Sequence, residues 1–179
     1  MTQGASVSRD HVRAEMEEAR ERFRQLLADT SLDDLRRSSD GTRWTNEQLL
    51  FHMLFGYLTV RALLWLVRGF GRLPDCVSRV YARVLNAASR PFHVINYWGS
   101  RGGALVVGRD KMGRAMDRVI DSLERHLDRE TDAALALRMH FPTRWDPFFR
   151  DVMTLADVYH YATQHFDFHS RQLTLSPPD

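Results

Sequence analysis

The sequence predicts an all-α fold, a four-helix bundle with an extra helix or a long crossover between its second and third long helices. Two observations predict it. Four long segments carry apolar residues at spacings of three and four, as a helix does when one face turns to a core. Stretches holding Gly and Pro separate them, and the 179 residues suit one domain with ample length for a core, 1–179.

The first long helix is expected over about 8–29, where Val12, Met16, Ala19, Phe23, Leu26 and Leu27 repeat at helical spacing among charged neighbours. Residues 30–44 read as a polar connection. Thr45 opens the second helix, with Gln48 three residues on, the pattern of a reciprocal cap. That helix runs to about Val67 and is apolar nearly all round, so it is expected to be central or packed at a subunit interface. Gly69, Gly71 and Pro74 end it. Asp75 can cap a shorter helix to Ala88, with Val77, Val80, Tyr81, Val84 and Leu85 inward. The aromatic stretch from Pro91 to Trp98 fits no element clearly, and Gly99-Ser-Arg-Gly-Gly103 reads as a loop. The third long helix spans about 109–128, with Met112, Met116, Val119, Ile120, Leu123 and Leu127 on one face. A loop holding Pro142 and Pro147 leads to the fourth, at 154–175, and Pro177-Pro178-Asp179 is expected to fray.

Composition narrows the function classes. Charged residues make up 27% and hydrophobic ones 44%, ordinary for a soluble globular protein. The net charge is only +2 and acidic residues alternate with basic ones, as in Glu17-Glu18-Ala-Arg20-Glu21-Arg22, so a nucleic-acid partner is not expected. The apolar run at 49–67 is broken by His52 and Arg61 and is read as a buried helix, not a membrane span. The N-terminus has no apolar run of signal-peptide length, and Cys76 is the only cysteine, so no internal disulfide forms and a reducing, cytoplasmic setting is expected. Cys76 itself is read as an inert buried thiol. Lys111 is the one lysine among 25 basic residues, which points to a GC-rich bacterial genome.

The chemistry is concentrated in Tyr161-Ala-Thr-Gln-His165-Phe-Asp-Phe-His169-Ser-Arg-Gln172. Four residues are slightly more than one helical turn, so His165 and His169 leave the same side of a helix, as two ligands of one metal would. In a chain with 8 histidines the bare spacing is cheap. Its setting adds weight. Leu155, Val158, Tyr159, Ala162, Phe166 and Leu173 form an apolar stripe; His169 falls inside it and His165 at its edge. His160, Gln164 and Asp167 fall on the opposite side. Buried imidazoles need polar partners, and a shared metal supplies one to both. His52, inside the second helix, is the candidate third ligand. His126 reads as structural, and His93 as a residue that can approach the site from the aromatic segment. Trp44, Tyr97, Trp98 and Trp145 are pocket-lining candidates, with plain packing the competing reading.

Three segments together resemble the DinB/YfiT-like superfamily of metalloenzymes: Trp44-Thr-Asn-Glu-Gln-Leu-Leu-Phe-His52, Gly113-Arg-Ala-Met-Asp-Arg-Val-Ile120, and Leu155 to Leu173 with its H-x3-H pair. The resemblance covers about 10–175. It implies a four-helix bundle with a long crossover, often dimeric, and a metal triad that maps onto His52, His165 and His169. Relatives of this family include mycothiol- and bacillithiol-dependent transferases and isomerases. The segment 69–108 is longer than the minimal family pattern, which leaves the pocket shape open.

Three neutral imidazoles leave a divalent ion with its full charge and an open position. Zinc is the expected metal, with nickel or iron as alternatives. Such a site can lower the pKa of bound water, bind a thiol as thiolate, or polarise a carbonyl. No H-E-x-x-H is present, so the glutamate-assisted peptidase route has no base. The resemblance makes a mycothiol-type S-transferase or isomerase, with a low-molecular-weight thiol as second cofactor, the leading expectation. A hydrolase or lyase acting through metal-bound hydroxide, or a non-catalytic metal- or small-molecule-binding protein, are the alternatives. A thiol pocket should show cationic and amide donors; a hydrolase pocket should show a carboxylate near the metal. Acceptors are expected on the free ring N–H groups. The expected partners are a small-molecule substrate and a second copy of the chain, without nucleic acid or membrane.

Overall fold

The computed structural model describes residues 8–176, so both the first seven residues and the Pro177-Pro178-Asp179 tail lie outside the described residues. Helix α1 (Arg9–Asp29) starts at Ser8, whose hydroxyl accepts from the His11 N–H. Its buried residues are Val12, Met16, Ala19 and Phe23, one per turn along one face. A short helix α2 (Leu32–Arg36) interrupts the expected polar connection, fixed by a reciprocal cap between Ser31 and Asp34. Helix α3 (Asn46–Phe70) opens with the Thr45–Gln48 cap that the sequence predicts.

Helix α3 is long and apolar enough to cross a membrane by length and composition, and 56% of its most apolar window is buried inside the bundle. Most of its apolarity has a direct cause in packing, while Phe55, Leu58 and Trp65 stay exposed. Helices α4 (Asp75–Ala87) and α5 (Ser89–Val107) fill the interval before α6 (Arg109–Arg129). Helix α7 (Asp132–Leu135) leads to a small antiparallel hairpin, β1 (Arg138–His140) with β2 (Val152–Thr154), in which Met139 pairs Met153. Helix α8 (Leu155–Ser170) follows at once, capped by Thr154 and Asp157. Helix α3 packs against α5, α6 and α8, most extensively against α8. The six apolar residues named for the third long helix, Met112 to Leu127, are all buried on α6.

Several sequence expectations need correction. Pro91 to Gly103 is helix, not irregular segment and loop. Pro91 sits in the first turn of α5, where a missing N–H removes no intrahelical bond. The glycines that read as a loop serve packing instead. A Cβ on Gly103 would lie 2.1 Å from the Phe51 ring, so its absence lets α5 approach α3, with Ser100 and Ala104 buried beside it. On α4 the buried residues are Ser78 and Ala82, while Val77, Val80 and Val84 are exposed, so its small residues and not its valines face the bundle. Helix α8 ends at Ser170, five residues before the expected end, though Leu173 still packs on the core. Cys76 is exposed, not buried.

Candidate metal centre

His52 lies six residues after Asn46, the first residue of α3; His165 and His169 lie on the last turns of α8. The contact between these two helices brings the rings together, with centroids 4.8 Å (His52–His165), 4.7 Å (His52–His169) and 4.5 Å (His165–His169) apart. One ring nitrogen from each lies within 4.8 Å of the others, a cluster able to hold a metal ion. His52 Nε2 and His165 Nε2 are 3.2 Å apart. Two nitrogens each about 2.1 Å from one ion stand roughly 3–3.5 Å apart, so the spacing suits a shared ligand.

The outer nitrogens of two rings are held as a metal site requires. His52 Nδ1 is 3.0 Å from Ser100 Oγ of α5. His169 Nδ1 donates to Gln172 Oε1 at 2.7 Å, which leaves its Nε2 lone pair free. Gln172 is in turn fixed by its backbone carbonyl, which accepts from the Asp40 N–H at 2.8 Å. The expectation fails at His165, whose Nδ1 is buried without a partner. It abuts Gly56 on α3, where no side chain is available to accept.

Electrostatics keep the donor set unprotonated. Burial, then repulsion from His169, holds the His52 imidazole down to about 3. Burial pushes His165 well below its ordinary value, reinforced by His52 and His169. Burial lowers His169 too, against opposing help from Gln172 and Asp146. Three neutral imidazoles are the form in which a metal is bound.

The residue that the sequence did not reveal is Asp146. The β1–β2 hairpin encloses residues 141–151 and carries Asp146 to 4.0 Å from His165 Nε2. Tyr161 donates its hydroxyl to Asp146 Oδ2 at 2.9 Å, and the Phe148 N–H donates to Oδ1 at 2.9 Å. Burial raises the Asp146 carboxyl above its ordinary value, against the stabilising Phe148, Tyr161 and His169. Burial, then the Asp146 charge, pushes the Tyr161 phenol well above its ordinary value, so it remains a donor. Tyr161 stands four residues before His165, so helical spacing could have flagged it. Nothing local marks Asp146, because the hairpin and not the helix places it.

His52, His165, Tyr161 and Asp146 form the polar end of a cavity of about 170 Å³. Leu63, Leu66, Tyr81, Leu85, Phe141 and Phe149 are among its apolar walls, and no Lys or Arg lines it among the described residues. Trp145 closes one side, stacked on Phe92 at 3.9 Å and tied to the Leu85 carbonyl through its indole N–H. On the His169 side lies a separate, wider cleft with Arg43, Trp44, Tyr97 and Gln172. Trp44 also covers the His52 ring at 4.4 Å. The pocket candidates thus divide: Trp145 lines the cavity, Trp44 and Tyr97 line the cleft, and Trp98 is exposed against Arg101.

The remaining histidines stand apart from the cluster. His93 packs on Phe92 and does not reach it. His126 Nδ1 bonds the Ser122 carbonyl. His160 is half-buried and not simply on the surface: its Nδ1 is 2.8 Å from Glu15 of α1. Asp167 likewise faces α1, paired with Arg22 at 2.6 Å.

Fold and cluster together define an all-α protein whose second long helix and last helix share three histidines able to hold a metal ion. The sequence matches the DinB superfamily over residues 15–173, and the chain belongs to that superfamily. No curated protein and no solved structure matches it.

Proposed function

We propose that this protein is a metal-dependent enzyme of the hydrolase or lyase class, in which His52, His165 and His169 hold a divalent ion and Asp146 accepts a proton from the nucleophile. One observation carries the reading: a carboxylate stands 4.0 Å from a candidate ligand, at one end of a cavity whose lining is mostly apolar. A bound ion supplies Lewis-acid polarisation and lowers the pKa of a protic group beside it. Asp146 is placed to take that group's proton, and the Tyr161 hydroxyl and Phe148 N–H fix its orientation. The apolar walls exclude water from the substrate side and strengthen each polar contact at the site. Ser100 and Gln172 hold two of the imidazoles in position.

A second reading, the mycothiol-type S-transferase or isomerase, draws support from the cleft beside His169, where Arg43 and Gln172 offer the cation and the amide that a thiol cofactor needs. One experiment separates the two. The protein is loaded with zinc and assayed on 4-nitrophenyl acetate with and without a low-molecular-weight thiol. Thiol-independent hydrolysis that falls about 10²- to 10⁴-fold in Asp146→Asn, with zinc content unchanged, supports the hydrolase reading. Turnover only with thiol present supports the transferase. Retention of one metal per chain by the His52, His165 and His169 triple alanine variant refutes both.

A further inference from the structure

We propose that the cavity beside His52 and His165 selects a substrate with a single-ring aromatic body, one polar reacting group at the His52–Asp146 end, and no charge at the far end. The inference deepens the functional reading above and rests on it for which end of the ligand reacts. Size comes first. An apolar protein cavity of about 150 Å³ takes a benzene-sized guest and stays dry when empty. The cavity here is about 170 Å³ and partly open, so a single ring fills it and a second fused ring would have to project towards solvent. Polarity comes next. The titratable groups that line it are His52, His165, Asp146, Tyr161 and Tyr81, four of them at the metal end. Leu63, Leu66, Leu85, Phe141 and Phe149 make up most of the rest, with Thr59 and Asn96 as neutral polar groups among them. A charged substituent there would lose its hydration without gaining a counter-ion, a cost that neutral hydrogen-bonding neighbours offset only in part. Shape comes last. The Phe92–Trp145 stack is nearly parallel, at 11°, and Trp145 is pinned to the Leu85 carbonyl at 2.8 Å, so two of the lining rings form one fixed aromatic wall. A fixed aromatic wall with aliphatic neighbours favours a planar ring over a branched alkyl body.

The test is calorimetric titration of the full chain, as purified and after metal loading. The probes are benzyl alcohol, 4-(hydroxymethyl)benzoate, which adds a charge at the far end, and 2-naphthalenemethanol, which adds a ring. Benzyl alcohol should bind, and each of the others at least tenfold more weakly. Thr59→Phe and Leu63→Trp, which fill the cavity from α3, should each abolish benzyl alcohol binding without lowering metal content. Either variant alone suffices if the other does not fold. Equal binding of the three probes, or benzyl alcohol binding that survives a folded filling variant, overturns the proposal. If the chain takes up no metal yet discriminates the probes as stated, the cavity assignment stands and the metal reading falls. Metal uptake without probe discrimination overturns the cavity assignment and leaves the metal reading standing.

Discussion

Gly56 and His165 are matched across the α3–α8 contact: a Cβ built on Gly56 would lie 2.6 Å from His165 Nδ1 and 3.0 Å from its Cε1. The imidazole occupies the space that a side chain on α3 would fill. Glycine inside a helix costs about 1 kcal/mol relative to Ala, so a packing reason offsets a real penalty. The variant Gly56→Ala therefore gains helix propensity and still loses. It should destabilise the protein by about 1–3 kcal/mol through overpacking, and displace His165 from the cluster. Thermal unfolding and metal stoichiometry check the two effects. A stable variant with full metal content would show that the ring can move aside.

The supports of the other two imidazoles predict a graded effect. Ser100→Ala removes the group beside His52 Nδ1, and Gln172→Ala removes the acceptor of His169 Nδ1. Neither supplies a ligand. Loss of such outer partners typically weakens a metal site about 10- to 100-fold, far less than loss of a ligand. Competition with a chromogenic chelator should show each single variant in that range. The double variant should be weaker than either, because the two groups hold different rings.

Much of the site is legible in the sequence, and the limits have physical causes. The i,i+4 spacing of His165 and His169, and the core stripe of α6, depend only on helical period, which a sequence carries directly. Helix α5 is hidden because Gly99, Gly102 and Gly103 signal a turn when read locally; their use, at least at Gly103, is close approach to Phe51 on another helix. Asp146 is hidden because its position depends on the three-residue pairing of β1 with β2, too short to leave a periodic trace. The unpaired Nδ1 of His165 follows from its contact with Gly56, a tertiary relation between two distant stretches of chain.

Asp34 gives a pH dependence that does not involve the histidine cluster. It is buried, caps α2 through Ser31, pairs with Arg37 and accepts from Ser176 beyond α8. The Ser31 hydroxyl foremost, with Ser176 assisting against burial, holds its carboxyl down from 3.8 to about 2. A carboxyl lowered on folding contributes stability that is present above its unfolded value and lost as pH falls through its folded value. Asp34→Asn should therefore be less stable than the parent at neutral pH, and the gap should close between about pH 4 and pH 2. Urea midpoints measured in parallel across that window test it. A gap that stays constant would assign the effect to geometry alone.

We propose that the homodimer expected from the sequence forms through a surface on α5. Helix α3 packs against α5, α6 and α8 but leaves Phe55, Leu58 and Trp65 exposed, so it keeps a narrower apolar stripe of its own. Helix α5 carries the larger one. Val94, Ile95, Trp98, Leu105 and Val106 are 57%, 70%, 59%, 79% and 78% exposed. At about 100° per residue they fall within one third of the helix circumference, so they form a continuous stripe and not scattered contacts. Contiguous exposed apolar patches of this kind mark interaction sites. A second copy can cover the stripe symmetrically, since a two-fold contact pairs a surface with itself. Light scattering at micromolar concentration should give twice the 20.9 kDa chain mass. Ile95→Glu with Val106→Glu should return it to one chain mass, because paired charges would be buried against their own copies. Both substitutions lie on the solvent face of α5, away from Ser100 and Ala104, so metal content and helical circular dichroism should not change. A monomeric parent would leave the stripe without a second copy to cover it and would overturn the dimer.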